Sequence, residues 1–180
     1  MKQIIKTLLL SGILLCLSSG VFADGLDNKN AIGMYILGSD NSFGGIQYER
    51  RFTDIIGVRF GTYAYYSDVE YSGTPFQANF IVEPDFSLYE TTWNNKVSSR
   101  LFAFGLAGYA CQRQVNYDFD AQKVKSDKMV HSLVGGAGFG FDFIFFDHLS
   151  IPIQFGFVGT YNDVTPNLGF CAGAALRYSW

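Results

Sequence analysis

A chain of 180 residues holds one domain of ordinary size. Its charged share of 16%, beside 17% aromatics and 20 glycines, lies well under the roughly one-quarter charged residues of a soluble globular protein, which argues against a soluble enzyme. The formal charge is −3 and no basic patch offsets it, so nucleic acid is not expected as a partner.

Lys2 and Lys6 form a charged start, Leu8 to Leu17 an apolar centre, and Val21-Phe22-Ala23 a small-residue cleavage site before Asp24. That order is a secretory signal peptide, so 1–23 is set aside as a leader and 24–180 is read as one mature domain. Cys16 raises the question of lipidation, but Leu15 stands where a lipidation site normally has a small residue. No later stretch approaches the roughly 20 apolar residues of a membrane helix. A mature chain in a membrane therefore has to close into a barrel.

Asp24 to Asn30 is a polar lead-in to strand 1, about Ala31 to Gly38, and Ser39-Asp40-Asn41-Ser42 is a turn signal. Strand 2, about Gly45 to Phe52, sets Gln47, Glu49 and Arg51 inside against Ile46, Tyr48, Arg50 and Phe52, with Arg50 near enough to an edge to snorkel. Thr53-Asp54 turns into strand 3, about Ile55 to Tyr66, with Gly57, Arg59 and Gly61 inside. Ser67 to Glu83 reads as a surface loop, although Phe76 to Val82 can also extend strand 4, which includes Phe86 to Trp93. The pattern leaves the registers of strands 1 and 4 open.

After a turn at Asn94-Asn95-Lys96, strand 5 runs about Arg100 to Val115, with Phe102, Phe104 and Leu106 on one face and Ala103, Gly105, Ala107, Tyr109 and Cys111 on the other, inner one. Asn116 to Lys128 reads as a solvated loop. Strand 6, about Val130 to Phe145, has Phe139, Phe141 and Phe143 outside and Gly136, Gly138, Gly140 and Asp142 inside. Asp147-His148 leads into strand 7, Leu149 to Tyr161, with Gln154 inside and Phe155 outside, and Asn162 to Asn167 is the last loop. Strand 8 ends the chain on an unbroken alternate row of Leu168, Phe170, Ala172, Ala174, Leu176, Tyr178 and Trp180, opposite Gly169, Cys171, Gly173, Ala175, Arg177 and Ser179. The bulky row facing outward and the small row inward invert a soluble barrel.

Eight strands, loops alternating with tight turns, and aromatics at both ends of the strands (Phe52, Trp93, Phe145 and Trp180 against Tyr65, Tyr66, Tyr117 and Tyr161) fit an outer-membrane barrel. With its aromatic last residue and the apolar positions before it, Leu176, Tyr178 and Trp180, the chain resembles the small outer-membrane β-barrels of Gram-negative-type bacteria, the OmpX, OmpW and OmpA-barrel group. The resemblance implies an all-β, closed eight-stranded antiparallel transmembrane β-barrel of up-and-down topology. It also implies export to the outer membrane, contact with its lipids, and handling by periplasmic chaperones and the barrel-assembly machinery, which reads those three terminal residues. A peptidoglycan-binding domain after the barrel is not expected, nor is cell-wall anchoring of the OmpA sort.

The polar interior set is Gln47, Glu49, Arg51, Arg59, Asp142, Gln154 and Arg177. In a narrow barrel such groups pair and plug the lumen, or they line a narrow ion path. Cys111 and Cys171, placed inside but on strands far apart around the ring, are expected as two free thiols. His131 beside Ser132 makes no catalytic pair, because neighbours on a strand point to opposite faces. Gly135-Gly136-Ala137-Gly138 has no helix after it and is not a phosphate loop. Asp118 and Asp120 read as ordinary loop acids. No catalytic residue, cofactor or metal is expected. The functional expectation is a structural or surface-interaction scaffold whose outer loops meet host or surface ligands. The alternative is an OmpW-like narrow channel for small, mostly apolar molecules.

Overall fold

An alternating row of bulky apolar residues can face outward along a whole chain only if the sheet has no free edges, since an open sheet leaves backbone donors and acceptors unpaired. The computed structural model, in which residues 25–38, 43–66, 73–93, 96–118, 123–162 and 167–180 are described, has that closure. A single 3-10 turn at Gly25–Asp27 precedes β1 (Asn30–Gly38), β2 (Phe43–Arg51), β3 (Ile56–Tyr66) and β4 (Gly73–Trp93). The ring continues with β5 (Val97–Asp118), β6 (Lys123–Phe145), β7 (Leu149–Tyr161) and β8 (Asn167–Ser179). Every neighbour pairs antiparallel, and the ring shuts where β1 meets β8, from Ala31 opposite Ser179 to Gly38 opposite Ala172. The fold is all-β, a closed eight-stranded up-and-down barrel. The leader 1–23 with Cys16, the turn signal at 39–42, and Ser72, Asn94, Asn95, Asp120 and Pro166 lie outside the described residues.

The bulky rows face out. Phe141, Phe155 and Leu176 are 47%, 45% and 57% exposed, while Gln154 and Arg177 on the alternate rows are buried. A continuous apolar belt of this kind far exceeds the few hundred square ångströms that soluble monomers tolerate. Phe52, Trp93 and Trp180 stand exposed at the turn end, and Tyr65, Tyr66 and Tyr161 at the loop end. These are the rings expected where a barrel crosses two membrane interfaces.

Two expectations are corrected. The stretches read as loops at Ser67 to Glu83 and Asn116 to Lys128 are mostly strand. Phe76 pairs opposite Tyr66, and Asp127 opposite Val115. Polar cross-strand contacts tie this part together: Arg113 Nε donates to Asp127 Oδ1 at 2.8 Å, and Asn116 Nδ2 to Ser126 Oγ at 3.0 Å. Beyond the apolar belt both faces of a strand can meet water, so its residues are polar although its backbone is laddered. Because β7 stops at Tyr161, opposite Leu133, β6 continues past its neighbour from Ser132 to Lys123.

The second correction is the parity of β5. Phe102, Phe104 and Leu106 form its inner row, and Cys111 falls on the outer row with Ala107 and Tyr109, not in the lumen. Cys111 and Cys171 are both free thiols, and Cys171 is buried inside. The register supplies the reason: Phe102, Phe104 and Leu106 lie opposite Gly140, Gly138 and Gly136 on the inner row of β6. A Cβ added at Gly140 would come within 2.3 Å of Phe102 Cζ, so the glycines leave the space that the rings fill. In β4 a bulge between Ser87 and Tyr89 reverses parity midway, which is why no single alternation fits Phe86 to Trp93.

Candidate functional site

The inner rows converge on an ion-paired layer in the turn-side half of the lumen. Gln47, Glu49 and Arg51 come from β2, Arg59 from β3, Asp142 from β6, Gln154 from β7 and Arg177 from β8, and all seven are buried. Three further members escaped the sequence reading: Glu83 and Asp85 on β4, and Arg100 on β5, each 3% exposed or less. Glu83 ends the stretch whose composition reads as a loop, and it lies in β4. Arg100 shares the face of Phe102, so fixing the parity of β5 also places it.

Arg177 reaches Glu49 Oε2 at 2.5 Å through Nη1 and Asp142 Oδ2 at 2.9 Å through Nη2. Arg100 Nη2 bridges the same two acids, at 3.1 Å to each. Arg51 Nη1 contacts Glu49 at 3.5 Å and Asp85 at 3.3 Å. Arg59 Nη1 lies 3.4 Å from Glu83 Oε2 and donates to Gln154 Oε1 at 2.6 Å, while its Nε is 3.5 Å from Asp85. Ser150 Oγ donates to Asp142 Oδ1 at 2.8 Å, and Gln47 Oε1 accepts from Arg177 at 3.2 Å. These four guanidiniums and four carboxylates balance, which is the condition under which buried charge is tolerated at all.

The layer above is apolar, built from Leu37, Ile81, Phe102, Phe104, Leu106 and Val158 among others. Arg59 joins the two layers: its Cζ lies 4.5 Å from the centroid of Phe102 and 5.7 Å from that of Phe104, an arrangement that favours a desolvated cation. Below, the lead-in closes the turn-side mouth, with Leu26 lining the cavity under the ion pairs. Asn28 Nδ2 donates to the Asp147 carbonyl and, at 3.2 Å, to Ser179 Oγ. That cavity measures about 20 Å³, and another beside Tyr35, Gln47 and Gln154 about 10 Å³. Each is room for about one water, too little for a hydrated ion.

The terminal residues sit on the outer surface at the turn-side rim. Leu176 and Trp180 are exposed, and Tyr178 stacks between His148 and Trp180 at 5.3 and 6.0 Å. Trp180 is tied to the lead-in by N–H donation to the Asn30 carbonyl at 2.8 Å and by acceptance from Lys29 N at 3.1 Å. His131 Nδ1 lies 2.5 Å from the Tyr109 hydroxyl, and no group of three or more metal-ligating side chains forms among the described residues.

A shell that is apolar outside, ion-paired and filled inside, and closed along every edge is a membrane-crossing barrel, and the chain has the fold of the small outer-membrane β-barrels. The N-terminal β-barrel domain of Pseudomonas aeruginosa OprF superposes with a TM-score of 0.56 at 15% identity, covering 85% of this chain and 98% of that one. Ail, the attachment invasion locus protein of Yersinia pestis, matches at 0.38 and 17% identity over 83% and 97% of the two chains. Neisserial surface protein A matches at 0.43 and 13% over 84% and 95%. No protein-family model and no curated protein matches the chain.

Proposed function

We propose that the protein is an integral outer-membrane scaffold whose plugged barrel holds an interaction surface, carried by the loop ends of β4, β5 and β6, outside the cell. On this reading 1–23 is the export leader and 24–180 the barrel. Leu176, Tyr178 and Trp180 form the signal read by the barrel-assembly machinery after periplasmic chaperones deliver the chain. The observation that carries the reading is the filled lumen: a neutral ion-paired layer beneath an apolar one makes a rigid pin, and it weighs against the narrow-channel alternative.

Planar-bilayer recording tests the choice. The purified barrel should insert without discrete conductance steps, and regular single-channel steps would favour the conduit. Heat-modifiable migration on a denaturing gel is the expected sign of the folded barrel, and a monomer soluble without detergent would overturn the membrane assignment.

A further inference from the structure

On the outward rows between the turn rim and the level of Arg113, one charged side chain stands among the described residues, that of Arg50. It lies one outward position inside Phe52, which is 63% exposed at the rim. Across the ladder Arg50 faces Asn30 on one side and Val58 on the other. Asn30 in turn exchanges backbone hydrogen bonds with Trp180, at 3.0 and 2.8 Å. Trp180, Asn30, Arg50 and Val58 therefore form one row from the end of β8 to β3. The next row toward the middle of the apolar belt is Tyr178, Ile32, Tyr48 and Phe60.

A cation in such apolar surroundings ordinarily bends its long side chain toward water. Arg50 is held back. Its Nη1 donates to Asn30 Oδ1 at 2.7 Å and the Tyr48 hydroxyl donates to the same oxygen at 2.9 Å, so the guanidinium is fixed sideways, level with its own strand position. Asn30 is neutral, and no acid among the described residues pairs with Arg50. One of its N–H groups is engaged, and the others present a planar fork of donors. The charge needs a partner, and on this face the partner has to come from the membrane. Beside it the indole of Trp180, 47% exposed, offers a further N–H at the girdle. Lys29 on the lead-in is a second exposed cation at the turn end, with Asp27 on the lead-in and Asp54 on the β2–β3 turn as exposed acids.

We propose that Arg50, framed by Asn30 and Tyr48 and flanked by Trp180, is a binding site for the phosphodiester headgroup of an anionic glycerophospholipid in the leaflet at the turn end. The guanidinium takes two phosphate oxygens side by side, as its fork allows and the point charge of a lysine does not. The acyl chains run up the exposed apolar positions Ile32, Met34, Ile36 and Ile46. A zwitterionic headgroup brings an ammonium as well, for which this row has no side-chain carboxylate. That favours a headgroup of the phosphatidylglycerol kind. The site depends on the membrane-crossing barrel alone and is the same whichever end of the barrel faces outward, so it stands apart from the scaffold reading.

The two tryptophans of the chain make the test local, since Trp180 lies beside the site and Trp93, on β4, lies on the far side of the ring. The mature chain carrying Trp93→Phe, so that Trp180 reports, or Trp180→Phe, so that Trp93 reports, is folded into phosphatidylcholine vesicles, with gel heat-modifiability as proof of folding. A minor fraction of the lipid is brominated, as phosphatidylglycerol in one set and phosphatidylcholine in the other, at an ionic strength that screens bulk attraction. Brominated phosphatidylglycerol should quench Trp180 as if enriched there about fivefold over phosphatidylcholine, with no enrichment at Trp93. Arg50→Gln should abolish the enrichment, and Asn30→Ala, which frees the guanidinium to swing toward water, should lower it about twofold or more. Lys29→Gln should lower it less than Arg50→Gln does. No enrichment at Trp180 in the folded barrel, equal enrichment at Trp93, enrichment that survives Arg50→Gln or Asn30→Ala, or a larger loss from Lys29→Gln overturns the proposal.

Discussion

Three guanidiniums converge on the Glu49 carboxylate, those of Arg51, Arg100 and Arg177. Removing one partner from a buried ion cluster leaves unneutralised charge in a poorly solvated site, a loss of about 3–5 kcal/mol. Glu49→Gln should therefore lower the unfolding free energy by about that much, read by tryptophan fluorescence during urea unfolding in lipid vesicles. Adding Arg51→Gln restores charge balance and should recover part of the loss, whereas a cluster held by shape alone would lose stability twice. A second residue-scale effect lies in the β6–β7 turn, where Phe146 and Asp147 both take positive φ, 52° and 63°, and His148 N donates to the Phe145 carbonyl at 3.2 Å. This type I′ geometry suits Asn-Gly far better than Phe-Asp. Asp147→Gly should stabilise the barrel by about 1 kcal/mol in the same assay, because the carbonyl that accepts from Asn28 is kept.

At the scale of elements, β5 and β6 act as a matched pair, bulky residues on one inner row against glycines on the other. Gly140→Val drives a side chain into Phe102 and should destabilise by about 1–3 kcal/mol as overpacking. Gly105→Val, on the outer row with Pro84 Cγ at 3.8 Å as the nearest contact, should be tolerated. The reverse ranking in urea unfolding would mean that β5 has the opposite parity. The same pair shows what the sequence reveals and what it hides. β7 is legible to its ends, Leu149 and Tyr161, and the outward row of β8 is legible throughout, because one face is uniformly bulky and the other small or polar. β5 read alone misleads, since its inward row is the apolar one. Only the glycines of its neighbour reveal that this half of the lumen is dry, and that signal is a cross-strand one. The charges of β4 are hidden for another reason: Pro75, Pro84, Glu83 and Asp85 give the stretch a loop-like composition, and their pairing with Arg51 and Arg59 is a cross-strand relation that no single strand displays.

Over the whole molecule, the barrel is asymmetric along its axis, and the proposed surface role belongs to the end where the strands project. At the turn end the connections are tight, the lead-in closes the mouth, and Trp180 is bound to Lys29 and Asn30. At the loop end β5 and β6 run on together past β7, with Val124, Asp127 and Met129 exposed on the projecting part. Water on both faces of that projection suits a segment beyond the membrane, whereas the belt from Phe141 to Phe155 needs hydrocarbon. If the loop end lies outside the cell, Asp127→Cys in a Cys111→Ser background should react with a membrane-impermeant maleimide on intact cells. Asp54→Cys, exposed at the opposite rim, should react only after the outer membrane is permeabilised. Cys171, buried in the lumen, adds no background in either case. Labelling of Asp54→Cys but not Asp127→Cys on intact cells would invert the barrel, and with it the assignment of the projecting strands to the outer surface.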